Sequence, residues 1–449
     1  MSAKELKEAS IDVVRRLRGE GYLAYFAGGC VRDMLMGNEP DDYDVATDAE
    51  PEAVSALFPR TVKVGAQFGV VVVMSGECQT EVATFRSDAG YSDGRHPDAV
   101  RFSSPEEDAQ RRDFTINGLF FDPLKDEVID YIGGREDLKG HIIRAIGEPR
   151  VRFEEDQLRL MRAVRFSARL GFEIEPATRK AIAEMAERIH SVSAERIRDE
   201  LRRMLCHKSR VRALELLDET GLLGQILPEV TAMKNVAQPP EYHPEGDVFE
   251  HSKLCLARLP DDAPFELAMA TLLHDAGKPQ TFEEREGRMR YYRHEAVGEK
   301  IAGRICRRLK MSRAETGKIT WLVRRHMIFK DSRKMRKSTL KKLFAAEHYH
   351  DLAELGRADA LASTGDLSDY DYCRLRLEEL SEEELRPEPL ITGHDLIDMG
   401  LEPGPVFSVI LGRAYDEQLE GSITDRKDAL EYAGHLAAEM GALPPEGAK

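Results

Sequence analysis

One tryptophan in 449 residues, and aromatic side chains at only 7%, argue against recognition built mainly on aromatic stacking. The six cysteines (30, 78, 206, 255, 306 and 373) are scattered and form no Cys-x-x-Cys pair. That usage argues against a disulfide framework and a thiolate metal site, and it predicts a reducing, cytoplasmic setting. No apolar run approaches membrane-spanning length. The opening residues, Met-Ser-Ala-Lys-Glu-Leu-Lys-Glu, carry charge instead of an apolar signal core, so a soluble, unexported protein with no membrane partner is predicted. Internal repeats and low-complexity tracts are also missing.

Positive charge is in short supply, with a net charge of −16, the wrong sign for binding nucleic acid over the whole surface. The deficit is uneven. Between Arg304 and Lys342 the chain carries basic residues from Arg307 and Arg308 through Arg324, Arg325, Lys330 and Arg333 to Lys341, against only Glu315 and Asp331. A polyanion can be gripped there while the rest of the surface repels it.

Composition is otherwise that of a globular protein, 42% hydrophobic and 33% charged, and the length suits about three domains of ~150 residues. Residues 1–140 alternate helix and strand patterns. Gly69 to Met74 and Thr80 to Phe85 read as strands joined at Ser75-Gly76-Glu77. Beyond Glu148 strand signals almost vanish, and helices are predicted over Glu155–Leu170, Pro176–Ile189, Ala194–Cys206 and Arg210–Thr220. The fold class is therefore α+β: a small head with a mixed sheet, then an all-helical remainder. The boundaries are 1–140 for the head, 141–235 for a neck and body, 236–365 after the Pro-rich linker Asn235 to Gly246, and 366–449 for a tail.

The most informative run is Phe26-Ala27-Gly28-Gly29-Cys30-Val31-Arg32-Asp33, followed by Asp42-Tyr43-Asp44. Leu23 to Ala27 reads as a strand, Gly28-Gly29 as a tight exit, and Val31 to Met36 as a helix whose free N–H groups suit a phosphate. Asp42 and Asp44, two apart on the next predicted strand, leave the same face. Paired carboxylates repel unless a cation lies between them, and beside a phosphate cradle that cation is most simply Mg²⁺ carrying a nucleoside triphosphate. Glu81, with Ala83 and Phe85 on one predicted strand face, places a third carboxylate among core-facing positions, as a further acidic member of the site.

This arrangement resembles the head of the nucleotidyltransferase superfamily, and the wording Gly-Gly-Cys-Val-Arg-Asp with Asp-Tyr-Asp-Val-Ala-Thr resembles its bacterial class II tRNA nucleotidyltransferase and poly(A) polymerase branch. Four further runs resemble the same family in order. Arg111-Arg112-Asp113-Phe114-Thr115-Ile116-Asn117 is similar to its ribose-contacting motif, Gly133-Gly134-Arg135-Glu136-Asp137-Leu138 to its hinge, and Glu155-Asp156-Gln157-Leu158-Arg159-Leu160-Met161-Arg162 to its base-reading motif. Ser193 to Leu201 resembles its neck helix.

The resemblance implies that Gly28, Gly29 and Arg32 hold the triphosphate, that Arg112, Asp113 and Asn117 face the ribose, and that Asp156, Arg159 and Arg162 serve the base. Asp156 and Arg159, three apart, are predicted neighbours on one helix face. Cytosine and adenine each present an amino donor beside a ring-nitrogen acceptor, which a carboxylate and a guanidinium match; guanine and uracil reverse the order. The loop Ser87–Gln110, with Tyr91-Ser92-Asp93-Gly94-Arg95, is present in full, and the resemblance implies that a chain keeping this loop can add adenosine; Gly118 and His96 are small departures from the family pattern.

A separate series, His251, His274-Asp275, His294, His326 and Asp359, resembles the HD-type metal-dependent phosphohydrolase pattern. Neutral imidazoles and carboxylates suit Mn²⁺, Ni²⁺, Fe²⁺ or Mg²⁺. The resemblances together imply addition of nucleotides to the 3′ end of tRNA from ATP and CTP, as CCA or as the terminal A alone. A poly(A) polymerase, and an HD-type phosphohydrolase with a nucleotide-sensing head, are the alternatives; oligomeric state is not legible.

Overall fold

The computed structural model describes residues 3–62, 69–89, 99–241, 246–286 and 288–442. The tip Tyr91-Ser92-Asp93-Gly94-Arg95 and His96 lie outside the described residues, as does part of the Asn235–Gly246 linker. The chain divides into two compact units, residues 1–232 with 307–311, and residues 233–306 with 312–449.

The first unit opens with α1 (Ala3–Gly19), whose Val13, Val14 and Leu17 are buried and whose Ser10 hydroxyl meets that of Thr80 at 3.0 Å. The strands are β1 (Ala24–Ala27), β2 (Val45–Thr47), β3 (Thr61–Val62), β4 (Val70–Ser75), β5 (Cys78–Thr84), β6 (Arg86–Ala89), β7 (Ala99–Phe102), β8 (Phe120–Asp122) and β9 (Glu127–Ile129). Seven of them form one sheet in the order β3-β4-β5-β2-β1-β8-β9, and β6 pairs with β7 separately. The β2–β5 pair is parallel and the other neighbours are antiparallel, which makes the sheet mixed. β4 and β5 meet as a hairpin through Gly76, as the Ser-Gly-Glu signal predicts. β1 is buried along its whole length, and the rings of Tyr25, Phe85 and Phe120 pack on one side of it.

Helices α2 (Gly29–Leu35), α3 (Pro51–Leu57), α4 (Pro105–Gln110) and α5 (Gly134–Lys139) flank the strands. They are followed by α6 (Pro149–Glu155), α7 (Leu158–Leu170), α8 (Pro176–Met185) and α9 (Ala194–Leu205). The helical remainder is not wholly free of strands. Ile142–Ile143 pairs in parallel with Glu173–Ile174, and in the second unit Phe282–Arg285 pairs with Arg288–Tyr291. Pairs this short carry too few alternating residues to show against helical neighbours.

Helices Val248–Ala257, Phe265–Leu273, Arg313–Arg325 and Tyr349–Ala362 pack together within the second unit. Its last helices, Gly393–Asp398, Pro405–Glu420 and Arg426–Glu439, close around Leu396, Ile410, Ala433 and Leu436. No helix among the described residues is long and apolar enough to cross a membrane.

Candidate functional site

In the first unit the chain leaves β1 through Gly28, whose φ of 77° lies in the left-handed region. A Cβ there would also stand 3.0 Å from Arg112 Nη1, so a side chain would have to displace the guanidinium, but it is the conformation that requires glycine. Asp42 and Asp44 precede β2 instead of lying within it, a correction to the predicted strand. Their shared face survives because Tyr43 between them is buried, its ring 5.1 Å from that of Phe26. Both carboxylates line a cavity of about 550 Å³.

Glu81 is corrected more substantially. On β5 the buried side chains are Cys78, Thr80, Val82 and Thr84, which leaves Glu81 exposed on the opposite face and off the cavity wall. The parallel register pairs Val45 with Val82, so the residues one step earlier, Asp44 and Glu81, are neighbours across the ladder. Burial first, then the charges of Asp42 and Glu81, push the Asp44 carboxyl up to about 7.

The other residues named from the sequence line the same cavity: Gly28, Gly29, Arg32, Arg112, Asp113 and Asn117 of the head, and Asp156, Arg159 and Arg162 of the helices that follow. A hydrogen-bond chain ties them together. Arg32 Nη1 donates to Asn117 Oδ1 at 2.7 Å, and Asn117 Nδ2 donates to Asp113 Oδ1 at 3.0 Å. Arg162 donates to Asp113 Oδ2 through Nε and Nη2, at 2.9 and 2.6 Å. Burial opposes the Asp113 charge, yet Arg162 and Asn117 hold its carboxyl down to about 2. Arg112 donates to Asp108 Oδ2, a carboxylate buried beneath the cavity that the sequence reading passed over.

Asp156 does not share a helix face with Arg159. It sits in the break between α6 and α7 with extended backbone (φ −149°, ψ 104°). There its Oδ1 accepts from the Leu158 amide at 3.0 Å, and its Oδ2 accepts from Arg196 of α9 at 2.8 Å. Arg159 donates to the carbonyls of Arg152 and Arg111 and pairs with Glu155. One turn further, Arg165 and Glu200 form a buried pair at 2.6 Å. The neck motif thus supplies Arg196 and Glu200 as braces. Asp41 and Arg111, chain neighbours of Asp42 and Arg112, also line the cavity, and so do Phe166, Arg169 and Arg203, which only folding brings there.

In the second unit the six HD-series residues converge. Each of His274, His294 and His326 directs Nδ1 at a backbone carbonyl (Thr271 at 2.7 Å, Tyr291 at 2.9 Å, Val323 at 2.8 Å). A carbonyl only accepts, so Nδ1 carries a proton and each Nε2 faces inward. His251 Nε2 lies 3.1 Å from Asp359 Oδ1, and His294 Nε2 lies 3.3 Å from Asp275 Oδ1. Gly277 makes the approach possible, because a Cβ there would stand 2.1 Å from the His294 carbonyl oxygen. Burial, then His274, lowers His326 to about 3, which keeps its ring neutral and ligand-ready. These residues form two groups able to hold metal ions, and Cys255, one turn from His251, belongs to the first.

Part of the basic stretch is paired with acidic side chains. Arg308 pairs with Glu229, Lys318 with Asp351, Arg324 with Glu295, Arg333 with Asp369, and Arg336 with Glu417 and Glu420. The positive run in the sequence is therefore not a positive surface of the same size.

Residues 24–144 match the Poly A polymerase head domain, residues 171–234 the probable RNA and SrmB-binding site of polymerase A, and residues 248–364 the HD domain. The head and the helical body thus each resemble parts of polymerase-A-type enzymes, and the HD match follows them in the sequence. Among named relatives, the chain is 45% identical over 216 residues to the CCA-adding enzyme of Geobacillus stearothermophilus, 48% of this chain and 53% of that one. It is 45% identical over 218 residues to the CCA-adding enzyme of Limosilactobacillus reuteri, with the same coverage. The matched region spans about half the length of these curated relatives. A solved CCA-adding enzyme of Bacillus stearothermophilus in complex with CTP superposes with a TM-score of 0.73 at 29% identity, over 97% of this chain and 98% of that one. The Thermotoga maritima CCA-adding enzyme complexed with tRNA shares the fold, with a TM-score of 0.57 at 19% identity over 96% and 95%.

Proposed function

We propose that this chain adds nucleotides to the 3′ end of tRNA without a template, using CTP and ATP and releasing pyrophosphate. The observation that carries the reading is one cavity lined both by Asp42 and Asp44 and by Arg32, Arg112, Arg159 and Arg162. Oxygen-only donors side by side suit a hard divalent cation, so Asp42 and Asp44 would hold Mg²⁺, with Glu81 adding charge beside them. Bound there, the ion supplies activation of the RNA 3′-hydroxyl and neutralisation of the triphosphate.

The protein's own groups do the rest. Gly28 and Gly29 let the backbone approach the phosphates, and Arg32 offers them its guanidinium. Arg112, Asp113 and Asn117 face the ribose. Asp156 accepts from the amino group of C or A while Arg159 donates to the ring nitrogen, with Arg162 held ready by Asp113. On this reading the domains are head 1–140, neck and body 141–235, HD-type 236–365 and tail 366–449, the last supporting tRNA, and the setting is cytoplasmic.

The test is incubation with tRNA ending in no, one or two terminal C residues, with each triphosphate separately. CCA addition predicts C incorporation on the first two and A on the third. A incorporation on the third alone marks an A-adding enzyme, and untemplated A tracts on any RNA mark a poly(A) polymerase. A second activity is favoured by the inward-facing Nε2 atoms of His274, His294 and His326: metal-dependent hydrolysis of phosphoesters at the HD-type centre, with Mn²⁺, Ni²⁺ or Fe²⁺ as the ion.

A further inference from the structure

Eight arginines line the cavity of the first unit, and six of them meet a carboxylate. Arg32 pairs with Asp33, Arg111 and Arg112 share Asp108, and Arg159, Arg162 and Arg165 pair with Glu155, Asp113 and Glu200. Arg169 and Arg203 are exposed, and their guanidiniums have no hydrogen-bond or ion-pair partner among the described residues. In a chain with 81 acidic against 65 basic residues, two lining arginines without a carboxylate mark a place that the acids avoid.

Packing brings these two together. Asp156 meets Arg196 and Arg165 meets Glu200, so the contacts advance in the same sense along α7 and α9. Arg169 follows Arg165 by four residues on α7, and Arg203 follows Glu200 by three on α9. Residues so spaced share a helix face. The buried Arg165–Glu200 contact at 2.6 Å therefore carries both arginines one turn further along the seam between the helices. Burial lowers the Arg165 pKa, and against the pull of Glu200 the charges of Arg162 and Arg203 lower it further, so Arg203 is felt at that pair.

A guanidinium held by a carboxylate must give up or share that partner to take a ligand. One without a partner gives up only water, and its planar fork matches a phosphate. Nucleotide addition as proposed above, on which this inference rests, brings two phosphate-bearing substrates into one cavity. The triphosphate has Gly28, Gly29, Arg32 and the cation to meet it, whereas none of those groups serves the RNA's own phosphates. The attacking 3′-hydroxyl belongs to a nucleotide with a phosphodiester on its 5′ side, which must enter the cavity with it. We propose that Arg169 and Arg203 form a phosphate subsite for the last phosphodiester of the RNA strand, aligning its 3′-hydroxyl with Asp42 and Asp44. The contact reads no base, so it serves a strand ending in any letter. After each addition the former α-phosphate is the new terminal phosphodiester, and the strand shifts by one nucleotide to place it on the same pair.

The test is steady-state addition from ATP by the full-length protein to tRNA ending in two C residues, with the last linkage either a phosphodiester or an uncharged methylphosphonate. Arg169→Gln combined with Arg203→Gln should raise the KM for tRNA about 10- to 100-fold and leave the KM for ATP unchanged. The methylphosphonate should raise the wild-type KM for tRNA by a similar factor and the variant's no further, because both changes remove one contact. A rise in the KM for ATP alone would assign the two arginines to the triphosphate and overturn the proposal. Additive losses would overturn it too, by placing them on some other phosphate, and so would unchanged values of both constants. Absence of addition by the wild type to any RNA would overturn the nucleotide-addition reading itself, which the other outcomes leave standing. Should the double variant not fold, judged by circular dichroism, Arg169→Gln and Arg203→Gln singly carry the same comparison.

Discussion

Asp113→Asn tests whether one carboxylate orders the arginine wall. The substitution keeps an oxygen for the Phe114 amide (2.8 Å) and for Asn117 Nδ2, but it turns an NH₂ toward Arg162 where Oδ2 had accepted two bonds. Two routes give the same size of effect. A hydrogen bond to a charged group contributes roughly 1.5–3 kcal/mol. A carboxyl held at about 2 against an ordinary 3.8 corresponds to about 2–3 kcal/mol at 1.36 kcal/mol per pH unit.

The folded-state value lies below the unfolded one, so the stabilisation is fully present above about pH 4 and is lost as pH falls through about 2. Hydrogen exchange followed by mass spectrometry over residues 110–120 and 158–170 reads the local opening. Exchange in the variant should be about 30- to 150-fold faster than in wild type at pH 7, for a loss of 2–3 kcal/mol. After correction for intrinsic rates, that ratio should shrink toward one near pH 2. A ratio that stays constant down to pH 2 would mean that packing, not charge, links these elements. Equal exchange at pH 7 would refute the argument outright.

Asp42→Ala and Asp44→Ala should each abolish nucleotide incorporation in Mg²⁺ while tRNA binding persists in a gel-shift assay; substantial transfer by Asp44→Ala would mean that the metal site lies elsewhere. Arg159→Ala should lower the preference for ATP over GTP and UTP by about 1–3 kcal/mol, or about 5- to 150-fold, as for other hydrogen-bonded reading of base edges. Arg196→Ala should erode the same preference by freeing Asp156, and unchanged selectivity in both would move base reading to other residues. His274→Ala combined with Asp275→Ala should leave tRNA addition in Mg²⁺ intact and remove any Ni²⁺- or Mn²⁺-dependent hydrolysis of 2′,3′-cyclic nucleotides. Loss of addition with a preserved fold, judged by circular dichroism, would show that the two activities are coupled.

Local chemistry was legible in the sequence wherever neighbours in the chain are neighbours in space. Gly28-Gly29, the Asp42/Asp44 pair and the His274-Asp275 step each declare a turn, a shared face or a ligand pair within a few residues. Alternation on β5 was legible too, but its phase was assigned to the wrong side, because Phe85 was counted with Glu81 when it lies beyond the last strand residue, Thr84. The break at Asp156 escaped because Glu155 to Leu170 keeps helical spacing on both sides of a two-residue interruption.

Contacts spanning long separations left no trace. Asp156 with Arg196, Arg165 with Glu200, and Arg32 with Asn117 are set by how helices and sheet pack. The pairing of His251 with Cys255 at one helical turn was available, but the cysteines were weighed for Cys-x-x-Cys spacing only. Charge along the Arg304–Lys342 stretch was read without its acidic partners, which come from distant helices.

The joint between α6 and α7 links specificity to architecture. One oxygen of Asp156 starts a helix and the other fastens that helix to α9. A residue free to vary at a loop tip could be exchanged for another base preference at little structural cost, but Asp156 has no such freedom. Exchanging it removes a cap and a cross-brace together. A redesign toward G or U must therefore first find a new helix start for Leu158 and a new partner for Arg196. Until it does, a change of letter at this position would register as a loosened joint before it registered as a different alphabet.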